Sequence, residues 1–243
     1  MVTEEHRALT GRVSTYVFTE ALSEAMPQGQ SLVVGSSGAA IEIVFLCLKV
    51  KQGQRIFHNR GTGSMGLALP QAIGACFASG LKDTIVVEGD GSLQLNVQEL
   101  QTIVTHNLPI KIFVLNNDGF ASIRLSQERH FGSLVAADSS SGMVLPDVRK
   151  IAQAYGIPTT QISSHQNLKE EILIIMNSPG PILCEVLIDP AEVRSPSIAS
   201  RPNEDGSMSS SALEDLWPFL PREELMENMS HATEPLELIR SGS

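Results

Sequence analysis

Two side chains that carry oxygen, 27 positions apart, are spaced for hard-cation chemistry: Asp90 in VVEGDGS (86–92) and Asn117 in LNND (115–118). Each closes a run of apolar or β-favouring residues, so each is expected at the carboxyl end of a buried strand. Asp90 lies between Gly89 and Gly91, which let backbone N–H groups come close to a ligand. A carboxylate, a neutral amide oxygen, a backbone carbonyl and phosphate oxygens make up the octahedral oxygen shell that Mg2+ prefers. The helical pattern over residues 96–106 joins the two runs, and a right-handed crossover of this kind sets the strands side by side, so the two side chains can converge.

Two more glycine-rich turns, GSSGAA (35–40) and GTGSMG (61–66), join GDGS (89–92). Beyond the carboxyl ends of parallel strands, such turns point backbone N–H groups and helix N-termini at a ligand. Three of them on one edge point to a large anionic ligand. One competing reading uses the middle turn: Gly61, Gly63 and Gly66 satisfy G-x-G-x-x-G, and Glu88 lies 22 residues past Gly66, as in a nicotinamide-dinucleotide (Rossmann) dehydrogenase domain. A nicotinamide dinucleotide needs no metal, and the pairing of Asp90 with Asn117 favours the first reading. Local roles also fit several positions. Asp90 and Asn117 suit turns, Ser36 and Ser37 suit a helix cap, Met65 suits core packing, and Asn96 with Glu99 fits a capping box.

The elements that must position these residues follow from periodicity. Helices are expected over 14–26, after GTGSMG to Gly80, over 96–107, in PDVRKIAQAYG and in NLKEEILIIMNS; AAIEIVFLCLKV reads as either helix or buried strand. Strands are expected at SLVVG, QRIF, DTIVVEG, PIKIFVLNND and GPILCEVLID. Strands apolar on both faces that alternate with helices imply a three-layer α/β/α fold around a mainly parallel sheet. The domain is expected to span 1–190. Residues 191–243, rich in Ser, Pro and Glu, form a tail with one short helical stretch that either packs on the domain or is partly disordered.

The bulk composition narrows the function classes. A chain of 243 residues with 42% hydrophobic content can bury a core, and its net charge of −10 disfavours nucleic acid and anionic membrane as partners. Cys47, Cys76 and Cys184 each sit in an apolar run, as buried thiols do in a reducing compartment. No secretory leader pattern is evident and no apolar run approaches the roughly 18 residues of a membrane span, so a cytoplasmic location is expected. The six histidines show no metal-binding or triad spacing.

GDG followed after 24 residues by NN resembles the thiamine-diphosphate-binding motif of the acetolactate synthase, pyruvate decarboxylase and benzoylformate decarboxylase superfamily. GSMGLALPQAIGA and NVQELQTIVTHNLPIKIFVLNND are similar to the acetolactate synthase branch in particular, and the resemblance covers roughly residues 12–190. It implies a thiamine-diphosphate-binding fold in which Asp90, Asn117 and the Gly119 carbonyl ligate Mg2+. Gly91 and Ser92 would hold the diphosphate next to Gly89, and the loop bearing Gly35, Ser36 and Ser37 would add phosphate contacts. Gly63 would meet the aminopyrimidine through its backbone, and Met65 would be the wedge that bends the cofactor. The implied reaction is decarboxylation of a pyruvate-like 2-oxo acid, with transfer of the activated aldehyde to an acceptor carbonyl. RLSQERHF (124–131) departs from the acetolactate synthase pattern and is closer to related enzymes of surface-sugar biosynthesis, which add the aldehyde to a ketone. No catalytic residue is assigned to this chain. In the family, the activating glutamate comes from a pyrimidine-binding domain across a subunit interface, and nothing in residues 1–30 matches it. A partner domain or subunit carrying that glutamate, within a homo- or hetero-oligomer, is therefore expected.

Overall fold

A computed structural model describes residues 2–35, 38–59, 61–198, 200–202, 205 and 207–230, and the chain divides into two units, Met1–Glu192 and Val193–Ser243. In chain order the first unit runs α1 (Glu4–Ala8), α2 (Thr15–Ala25), β1 (Ser31–Val34), α3 (Ala39–Cys47), β2 (Arg55–Phe57), α4 (Ala68–Ala78), β3 (Thr84–Gly89) and α5 (Asp90–Leu93). It continues with α6 (Glu99–Thr105), β4 (Ile110–Asn116), α7 (Ala121–Phe131), α8 (Val148–Ala154), β5 (Thr159–Ile162), α9 (Leu168–Asn177) and β6 (Ile182–Leu187). The second unit holds a short antiparallel hairpin, β7 (Ser200–Pro202) and β8 (Met208–Ser210), and residues 222–230 are helical. Within that unit Arg222 grips Asp215 through both carboxylate oxygens at 2.8 and 2.9 Å.

The six strands of the first unit form one all-parallel sheet in the order β2-β1-β3-β4-β6-β5. Alternate residues on each strand face opposite layers, and here both faces are covered. Ile85, Val87, Phe113 and Leu115 pack with Phe18 and Leu22 of α2, Val44 of α3 and Ile172 of α9. Val86, Ile112 and Val114 pack instead with Leu69 and Ala72 of α4, Leu100 and Ile103 of α6 and Val148 of α8. The outcome is a three-layer α/β/α domain. AAIEIVFLCLKV, ambiguous by periodicity, resolves as α3: its apolar residues are spread around the helix, which is buried between α2 and the sheet.

Helices α1 and α7 and the β7–β8 hairpin have no counterpart among the expected elements, and two further features differ from expectation. Strand β5 was not anticipated, because its residues TTQI are polar or β-branched without an apolar run; it is an edge strand, paired only with β6. The capping box of Asn96 and Glu99 does not form. Asn96 lies in a short 3-10 turn, α6 is capped by Gln98 without a side-chain bond, and the Asn96 amide instead donates to the carbonyl of Gly66 at 2.9 Å. A partner 30 residues away outcompetes the local one.

Candidate functional site

Connections leave β1 toward one edge of the sheet and β3 toward the other, so the chain reverses direction between these neighbours. The crevice beyond the carboxyl ends of strands at such a switch point is where ligands bind in open parallel sheets. A cavity of about 130 Å3 lies there, lined from the β1, β3 and β4 exits. The register that pairs Gly89 with Leu115 brings the next residues of both strands to the same edge. Of the residues singled out from the sequence, Met65, Gly89, Asp90, Gly91, Ser92, Asn117 and Gly119 all line this cavity. Gly38, from the GSSGAA turn, lines it too, as do Phe120 and Ser122, which were not singled out; an aromatic or a serine in a loop carries no motif that would flag it.

Asp90 is the first residue of α5 and only 3% exposed. Its Oδ1 accepts the Gly91 N–H at 2.9 Å and its Oδ2 the Gly119 N–H at 3.2 Å, so the carboxylate joins the β3 and β4 loops directly. Burial pushes its pKa up to about 6, against the opposing pull of the Gly91, Gly119 and Asn117 backbone N–H groups. Asn117 contributes a buried Oδ1 with no hydrogen-bond partner. A buried acceptor left unpaired costs about 1–3 kcal/mol, and a desolvated carboxylate beside it adds to the deficit. A cation bound by both would relieve both. Among the described residues no group of three or more His, Cys, Asp or Glu side chains could hold a metal. One carboxylate and one amide oxygen fit a hard ion that draws its remaining oxygens from backbone and phosphate.

The glycines around this centre are there for space. Gly91 packs against the Phe120 ring, where any Cβ would collide. Gly119 has φ of +131°, and a Cβ there would run into the Ala137 carbonyl and sit 2.8 Å from the Met143 methyl. Ser92 Oγ accepts the Gly66 N–H at 2.8 Å, so it tethers GTGSMG to GDGS. Gly63 is exposed, with its N–H donated to the Asn59 carbonyl at 3.0 Å, and it does not line the cavity. Gly35 is buried, donates to the Val87 carbonyl at 2.7 Å and likewise lies outside the lining. Ser36 and Ser37 fall outside the described residues.

The dinucleotide reading fails on topology. The glycine triplet follows β2, Glu88 sits on β3, and β1 separates the two, whereas the acidic residue of a dinucleotide fold belongs on the strand next to the glycine loop. Glu88 is 1% exposed beneath Gly35, where its carboxyl cannot reach a ribose. Gly66 packs tightly against Leu95 and Asn96.

The family described as thiamine pyrophosphate enzyme, C-terminal TPP binding domain, matches residues 34–186; thiamine pyrophosphate and thiamine diphosphate are one compound. The chain is 31% identical over 172 residues to acetolactate synthase 2, chloroplastic, of Brassica napus, covering 68% of this chain and 27% of that protein. It is 37% identical over 152 residues to the acetolactate synthase large subunit of Cyanidium caldarium, covering 63% of this chain and 26% of that one. The chain thus spans about a quarter of the length of these relatives. The solved structure of a Rhodococcus jostii RHA1 thiamine diphosphate-dependent 4-hydroxybenzoylformate decarboxylase superposes with a TM-score of 0.66 at 19% identity, over 75% of this chain and 34% of that chain. At that identity the likeness concerns the fold alone.

Proposed function

The chain belongs to the family of C-terminal TPP-binding domains of thiamine pyrophosphate enzymes, and on that premise we propose that it is the diphosphate- and Mg2+-holding part of an acetolactate-synthase-like enzyme. That enzyme decarboxylates a pyruvate-like 2-oxo acid and transfers the activated aldehyde to an acceptor carbonyl. The observation that carries the reading is the meeting of buried Asp90 with the unpartnered Oδ1 of Asn117 in one crevice at the switch point.

In this reading Asp90, Asn117 and the Gly119 carbonyl hold Mg2+. The backbone of Gly89 and Gly91, together with Ser92, holds the diphosphate at the start of α5, and the loop from Gly35 through Ser36 and Ser37 adds contacts. Met65 supports the bend of the cofactor, and Gly63 presents its backbone to the aminopyrimidine. Thiamine diphosphate, when bound, supplies the electron sink for decarboxylation. The chain supplies anchorage and alignment: a buried carboxylate that attracts the cation, an amide oxygen with no competing bond, and glycines that clear the approach.

A second, pyrimidine-binding domain or subunit completes the pocket in this reading and contributes the activating glutamate within an oligomer. Three free, buried cysteines suit a reducing compartment such as the cytoplasm.

Calorimetry tests the reading. Thiamine diphosphate is expected to bind in the presence of Mg2+, to bind poorly with chelator, and to lose the metal-dependent part in Asp90→Ala. Binding indifferent to Mg2+, or unchanged in Asp90→Ala, overturns the cation assignment. Metal-independent binding of NAD(H) in its place overturns the function.

A further inference from the structure

Helix α7 follows the Asn117–Gly119 turn, and Arg124 is its one buried residue, at 7% exposure. Ile123 and Phe131 on the same helix are exposed, so apolar packing is not what seats it. The Arg124 guanidinium binds three segments. Nη2 donates to the Asn117 carbonyl at 3.1 Å and to the Pro190 carbonyl at 2.9 Å, and Nη1 lies 3.4 Å from Asp138 Oδ2. Asp138 is held in turn by the Ser140 and Ser141 hydroxyls, each at 2.8 Å, and its backbone bridges Gly119. The next residue, Phe120, donates its N–H to the Ala137 carbonyl at 2.9 Å. The turn is thereby gripped at Asn117 from one side and at Gly119–Phe120 from the other.

Burying a guanidinium is unfavourable unless every partner is in place. Mg2+ requires near-ideal octahedral geometry and tolerates little play in its ligands, whereas Ca2+ accepts six to eight oxygens in flexible arrangements. With the Asn117 carbonyl committed to Arg124, the orientation of that peptide is fixed, while the Asn117 Oδ1 has no hydrogen-bond partner. We propose that Arg124 is a positioning residue for the cation: it pre-sets the Asn117–Gly119 turn so that the site selects Mg2+. This rests on the cation site proposed above.

The test is calorimetric titration of Mg2+ and, separately, Ca2+ into the full chain with saturating thiamine diphosphate, for wild type, Arg124→Met, Arg124→Lys and Asp90→Ala. Outer partners of metal ligands typically govern 10- to 100-fold in affinity. Arg124→Met is expected to weaken Mg2+ roughly 10-fold or more and Ca2+ much less, shifting the Mg2+/Ca2+ preference, and Arg124→Lys to recover part of that loss. Circular dichroism confirms folding, and if the Met variant does not fold, the Lys variant carries the same comparison. Equal weakening of both ions assigns Arg124 a merely structural role and overturns the proposal, as does wild-type affinity in the Arg124 variants while Asp90→Ala loses binding. Absence of Mg2+-dependent binding in wild type overturns the cation site itself and this inference with it.

Discussion

Glu88 and Asp90, two positions apart, are both buried carboxyls, and burial moves both in the same direction: Glu88 up to about 7 and Asp90 up to about 6. Neither oxygen of Glu88 has a hydrogen-bond partner; Ser92 and the backbone of Gly89 and Ala68 are near enough only to temper the shift. A carboxyl with a raised folded-state pKa penalises folding once it must ionise. The penalty is full above the folded value and gone below the unfolded value near 4. Without divalent ions, the chain is therefore expected to gain thermal stability as pH falls from 8 to 5, opposite to the usual trend for carboxylates. Each group contributes on the order of 3 kcal/mol at most. Glu88→Gln is expected to flatten that slope in melts recorded across this range; an unchanged slope contradicts it. Asp90 and Asn117 could be read from sequence because each ends an apolar run and a crossover helix lies between them. The pairing of Arg124 with the Asn117 carbonyl could not, because one arginine in RLSQERHF looks like any solvated helical charge.

The turns and caps between elements explain the next level. Gly119 combines a φ of +131° with a backbone carbonyl where a Cβ would go, so Gly119→Ala forces the β4 exit to move away from the Ala137–Asp138 segment. A loss of at least ~2 kcal/mol is expected, seen as a melting-temperature drop of several degrees, with weaker Mg2+ binding in the same variant. At the opposite end of β4, Lys111 is fully buried, and its ammonium donates to the Ser178 and Gly180 carbonyls at 2.5 and 2.7 Å, closing the end of α9. Lys111→Met strands those carbonyls and is expected to cost about 1–3 kcal/mol in denaturant unfolding while leaving cofactor binding intact. Local fit alone misleads here: Asn96 fits a capping box by spacing and bonds Gly66 instead, and TTQI, to which the sequence assigns no element, is strand β5.

For the whole molecule, the expectation is a chain that holds a cofactor without completing its chemistry. Alone it is expected to bind thiamine diphosphate with Mg2+ yet leave pyruvate unconsumed, and to turn over only when a pyrimidine-binding domain is added; steady decarboxylation by the chain by itself contradicts this. Light scattering at micromolar concentration is expected to report a species larger than the monomer. The amino-acid pattern alone determined the class of fold and the strand ends at which Asp90 and Asn117 sit. Strands apolar on both faces that alternate with helices imply a covered parallel sheet, and glycine around a carboxylate is a local signature. Tertiary structure alone decided that β1 lies between β2 and β3, which removes the dinucleotide reading, and that Asn117 keeps an oxygen free. Strand order and hydrogen-bond partners depend on which distant segments win the competition to pack together, and no local spacing encodes the result of that competition.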